Sequence, residues 1–116
     1  MHKVIITMAL CAMVAGCTST PPLYYYGDYN KAVYSYFKGA EVTPQEQIQA
    51  LESTIQKAAA RQQAIAPGVH AQLGMLYFET GNADRGTAEL IQEKSLFPES
   101  AHYIDFLLDN RQGDAP

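Results

Sequence analysis

Cysteine is scarce in this chain of 116 residues, with Cys11 and Cys17 the only two. No disulfide framework can be built from such a pair when one member lies in a leader, so packing alone must hold the fold. Basic residues are also few, 8 against 12 acidic, for a net charge of −4. That balance argues against nucleic acid as a partner and against a polybasic grip on anionic lipid. Long apolar runs are missing too. The longest, "VIITMALCAMVA" at residues 4–15, would span about 18 Å as a helix, short of a bilayer core of about 30 Å. Strand-type alternation of apolar and polar residues is absent, which excludes a sheet-based domain and leaves an all-α fold. No phosphate-cradling glycine loop, zinc spacing or nucleophile elbow occurs, so neither a cofactor nor a small-molecule substrate is indicated.

What is present begins with the leader. His2 and Lys3 give a charged start, the apolar run follows, and "VAGC" ends at Cys17. This order reads as a signal peptide over residues 1–16, so Cys11 leaves with it. Three uses compete for Cys17: a disulfide, a metal or redox ligand, and lipid attachment. "VAGC" resembles the lipobox of bacterial lipoproteins, in which the cysteine is acylated as a thioether and becomes the new N-terminus. The resemblance implies durable membrane attachment, since several acyl chains hold where one does not. Thr18, where inner-membrane retention uses an aspartate, implies the outer membrane, with the periplasmic face favoured.

Residues 17–22 then read as a lipidated N-terminus and linker, because Pro21 and Pro22 lack amide donors and favour an extended chain. Residues 23–110 carry the helical domain. A helix is expected over 28–38, stopped by Gly39, with Ala32, Val33, Tyr36 and Phe37 facing inward and Lys31, Tyr34, Ser35 and Lys38 outward. Tyr34 and the 24–26 tyrosines either pack or meet lipid or a partner. "TPQEQ" signals a helix start, with Thr43 and Glu46 as a capping box and Pro44 at the first position. Ile48, Leu51, Ile55, Ala58 and Ala59 form its stripe, leaving Gln47, Ala50, Lys57 and Arg61 towards water.

Residues 67–100 match the 34-residue tetratricopeptide period. Leu73, Gly74, Tyr77, Gly81, Gly86, Leu90 and Pro98 stand where that pattern has its punctuation. His70 replaces the usual tryptophan, and Glu93 stands where a small residue is usual. The first helix of the unit is apolar on most sides and should be sandwiched between neighbours. Ala83, Gly86, Leu90, Ile91 and Phe97 line the second. A last helix from Glu99 turns Ala101, Ile104, Leu107 and Leu108 inward and His102, Asp105 and Asp109 to water, with 111–116 a polar tail. About five helices in antiparallel hairpins, tetratricopeptide-like and without strands, are expected.

No residue set reads as catalytic. His70 has no readable nucleophile beside it, Glu89 and Glu93 read as surface charge, and His102, Asp105 and Asp109 lack further metal ligands. In tetratricopeptide proteins the first helix of each repeat lines a groove, and the matching positions here are Ala71, Met75, Phe78 and Glu79. They form a partner-binding patch or are covered by the helix that starts at Thr43. The whole series of motifs resembles a family of small uncharacterised Gram-negative lipoproteins, often encoded beside a lipoprotein similar to the curli secretion channel. The resemblance implies an envelope assembly; with the absence of a readable active site, the expected role is a non-enzymatic adaptor, bound to the membrane through acylated Cys17, that engages other envelope proteins as an accessory of an outer-membrane secretion or assembly complex. The alternatives are a peptidoglycan-associated structural lipoprotein and an accessory of a cell-wall enzyme.

Overall fold

Local chemistry sets several helix starts and stops in the computed structural model, which describes His2, Thr20 and residues 22–39 and 41–113. The rest of the expected leader, Cys17 and most of the expected 17–22 linker lie outside the described residues, as do 114–116. Helix α1, Tyr29–Lys38, ends at Gly39, whose left-handed backbone (φ 59°) returns an amide to the Ser35 carbonyl. Helix α2, Pro44–Ala60, opens on the expected capping box. Thr43 Oγ1 accepts the Glu46 amide at 3.2 Å, and Glu46 Oε2 accepts the Thr43 amide at 2.8 Å. Helix α3 is Val69–Glu79, and α4, Ala83–Leu96, starts at Asn82, whose side chain accepts the Arg85 amide at 3.3 Å. A 3-10 turn, Pro98–Ser100, leads into α5, Ala101–Gly113.

The fold is all-α, with five helices among residues 22–113, and successive helices run antiparallel. The Asp28 amide bonds Thr54 Oγ1 across α1 and α2 at 3.3 Å, Tyr77 meets Glu52 across α2 and α3, and Lys94 meets Asp105 across α4 and α5. Residues 67–100 form the hairpin of α3 and α4. Its helices approach so closely that a Cβ on Gly74 or on Gly86 would lie 3.0 Å from the other glycine's carbonyl oxygen. Helix α1 runs parallel to α3: its Tyr29 hydroxyl lies against Gly68 at one end, and Tyr36 reaches Glu79 at the other. Leu51, Val69, Leu73, Leu76, Leu90 and Ile104 are fully buried between these layers, each contributing about 1.5–3 kcal/mol.

Five expectations need correction. Two strands of two residues each exist among the described residues: β1, Tyr24–Tyr25, pairs in parallel with β2, Ala64–Ile65, because the extended entry segment and the connection between α2 and α3 satisfy each other's backbone groups. Helix α1 buries Ala32 and Ser35, small residues that permit close approach, while Phe37 is 78% exposed. In α2, Gln47 is buried and Ala59 exposed, and Thr54 joins the interior by returning its hydroxyl to the Ala50 carbonyl at 2.9 Å. Ile91 of α4 faces water, and α5 continues through 111–113 where a tail was expected.

Candidate functional site

The four residues of the expected patch share α3. Ala71, Met75 and Phe78 are half-buried, and Glu79 is exposed in the last turn. The structure adds one residue from each flanking odd-numbered helix. The Tyr36 hydroxyl of α1 donates to Glu79 Oε1 at 2.6 Å. This bond, with burial and the Glu79 charge behind it, raises the Tyr36 pKa above its ordinary 10.0. From α5, the Arg111 guanidinium lies 5.4 Å over the Phe78 ring, a cation–π geometry. Phe78 itself rests on Gly86 of α4, so closely that a Cβ there would meet the ring at 2.7 Å. Helix α2 meets α3 at the Tyr77 hydroxyl, which donates to Glu52.

Tyr36, Met75, Phe78, Glu79 and Arg111 therefore combine an apolar floor with one acid and one base. Such a surface suits a peptide or helix with an apolar anchor and mixed charge. Tyr34 does not join it. That ring is exposed on the outer side of α1, with Lys38 Nζ 5.8 Å over it. Tyr36 and Arg111 escaped sequence reasoning because one was placed in the core and the other in the tail. The available signal for Arg111 was that residues 101–111 have no helix breaker.

A second polar assembly lies between α2, α3 and α4. Glu52 accepts from the Tyr77 hydroxyl and, at 3.0 Å, from Arg85, whose guanidinium covers the Tyr77 ring at 4.4 Å. Burial, then the bond to Glu52 and its charge, push the Tyr77 pKa up to about 12. Beside it His70 Nδ1 meets Glu89 Oε2 at 2.7 Å, and these side chains line a cleft of about 240 Å³. The His70 ring is buried. Among the hydrogen bonds of the described residues it meets Glu89 and no hydroxyl or thiol, so this geometry orients an imidazole without a nucleophile.

The surface-charge expectation for Glu89 and Glu93 is corrected. Glu93 is 3% exposed. Its Oε1 accepts the Gly68 amide at 2.6 Å and its Oε2 the Ala71 amide at 3.2 Å. Helix α3 starts at Gly68 (φ 94°) with no side-chain cap of its own. Glu93 supplies both acceptor and negative charge to those amides. Burial, with the nearby Glu93 charge second, raises the Tyr29 pKa.

Elsewhere, Asp105 is bonded to Lys94 Nζ at 2.6 Å, and His102 and Asp109 are exposed. Among the described residues no group of three or more His, Cys, Asp or Glu side chains is placed to hold a metal ion. A hollow of about 280 Å³ between α1 and α2 is lined by Asp28, Lys31, Ser35, Glu41 and the buried Gln47, among others.

The chain belongs to the family described as Domain of unknown function (DUF4810), whose model matches residues 23–107, from before β1 to within α5. No curated protein and no solved structure matches it.

Proposed function

We propose that this member of the DUF4810 family is a non-enzymatic adaptor of the bacterial cell envelope. It is acylated at Cys17, held at the periplasmic face of the outer membrane, and presents stacked helix pairs of tetratricopeptide type to another envelope protein of a secretion or assembly complex. The lipobox supports the tether. The observation that carries the binding role is the convergence of α1 and α5 on α3: Tyr36 meets Glu79, and Arg111 lies over Phe78. Three helices thus contribute an apolar and charged surface to one site. The two polar clusters behind it cap and lock helices, a structural rather than catalytic use of His70, Glu89 and Glu93.

The test is crosslinking and affinity capture of the acylated chain from membranes, in wild type and in Glu79→Lys, which changes an exposed terminal residue. Discrete protein partners held by the wild type and lost by the variant, with helicity retained, are expected. Partners held equally by both chains count against this surface. Retention on purified cell wall in place of protein partners favours the peptidoglycan-associated alternative.

A further inference from the structure

The two terminal helices of the stack expose aromatic faces of opposite charge. On α1 the outward side carries Lys31, Tyr34, Phe37 and Lys38, and from Tyr29 to Lys38 the helix contains no carboxylate. On α5 the outward side carries Tyr103 and Phe106, each 58% exposed, among His102, Asp105 and Asp109. A helical-repeat stack that ends in water needs polar outer faces at both ends. Here both outer faces carry exposed aromatic rings among their charges.

We infer that this chain assembles head to tail with itself, the α1 face of one copy, Lys31, Tyr34, Phe37 and Lys38, seating on the α5 face of the next, Tyr103, Asp105, Phe106 and Asp109. The faces match in both respects that a contact requires, aromatic area at the centre and opposite charge around it. The in-chain pair of Asp105 with Lys94 does not block this, since both side chains are exposed and such pairs contribute little. Because the two faces differ, the contact is heterologous and leaves a free face at each end, so it propagates as a row rather than closing as a dimer. Each face is one helix wide, well below the roughly 800 Å² per partner of a stable complex. The contact is therefore weak between freely diffusing copies and gains from confinement on a membrane, and to that extent the inference rests on the proposed acyl anchor.

The test uses the full chain recovered from membranes and reconstituted in phosphatidylcholine vesicles, with the mass of Cys17 read first. A mass without acyl chains shows that the anchor reading has failed. The crosslinking is then read from the same chain concentrated in solution, with Cys17→Ser added. Oxidation of a chain carrying Tyr34→Cys and Phe106→Cys should give a ladder of disulfide-linked multimers. A mixture of the two single variants should stop at dimers, and either single variant alone should stay monomeric. Lys31→Glu with Lys38→Glu should weaken the ladder by about tenfold, and adding Asp105→Lys with Asp109→Lys should restore it. No ladder, a ladder indifferent to charge reversal, or a dimer from Tyr34→Cys alone would overturn the inference. So would a Phe37→Trp reporter, in this chain without tryptophan, quenched by brominated phosphatidylglycerol while no ladder forms; that result assigns α1 to a lipid surface.

Discussion

The carboxylate of Glu93 on α4 accepts the amide of Gly68 at 2.6 Å, capping the start of α3 from 25 positions away. The second oxygen holds Ala71, so truncation leaves two donors at a helix start without acceptors. Glu93→Ala should lower unfolding free energy by about 2–4 kcal/mol. Glu93→Gln, which keeps one acceptor, should fall between it and wild type. Urea denaturation followed by circular dichroism checks both.

Tyr77 titrates at about 12 in the fold, against an ordinary 10.0. The raised value means that the neutral phenol is favoured by folding. Its contribution is therefore complete below pH 10 and disappears as pH climbs from 10 towards 12. Thermal melts across that window should show stability falling, and Tyr77→Phe should flatten the fall by removing the titrating group.

Gly86 has no room for a side chain, with the Phe78 ring 2.7 Å and the Gly74 carbonyl 3.0 Å from where a Cβ would sit. Gly86→Ala should destabilise by about 1–3 kcal/mol through overpacking. Phe78→Leu in the same chain should return only part of the loss, because the Gly74 carbonyl remains. Denaturation midpoints of the two chains measure it.

Cys17→Ser should move the protein from the membrane pellet to the soluble fraction after cell breakage, with no acyl mass on the purified chain. Persistence in the pellet would end the lipobox reading.

The parts of this fold that were legible in sequence are those set by neighbours a few residues apart. Thr43 and Glu46 announce a capping box because both partners lie within one turn. Gly39 and the 34-residue hairpin are legible for the same reason, since turn chemistry is local. Burial of polar groups is different, because the partner decides it. Gln47 and Thr54 follow the polar side of a helical wheel, yet α1 packs over that side with Ala32 and Ser35. Glu93 looked like surface charge, although two signals pointed otherwise: Pro67 and Gly68 offer α3 no capping side chain, and a carboxylate stands where the repeat prefers a small residue. The ladder of Tyr24–Tyr25 with Ala64–Ile65 is too short to show periodicity. Of the candidate site, the α3 face was readable from the repeat pattern. Its completion by Tyr36 and Arg111 depends on tertiary placement across more than 30 residues on either side.

The short parallel ladder also determines where traction on the N-terminal segment would be borne. Any pull arriving through Pro22 meets the Gln63 side chain, which holds the Pro22 carbonyl at 2.8 Å, and then the paired backbones of Tyr24–Tyr25 and Ala64–Ile65. Arg61, stacked 4.9 Å over the Tyr25 ring, adds a further grip at the end of α2. Load therefore passes into the connection between α2 and α3 before it reaches α1. A protein moored by its leading end can be tugged by its surroundings while its first helix stays wound.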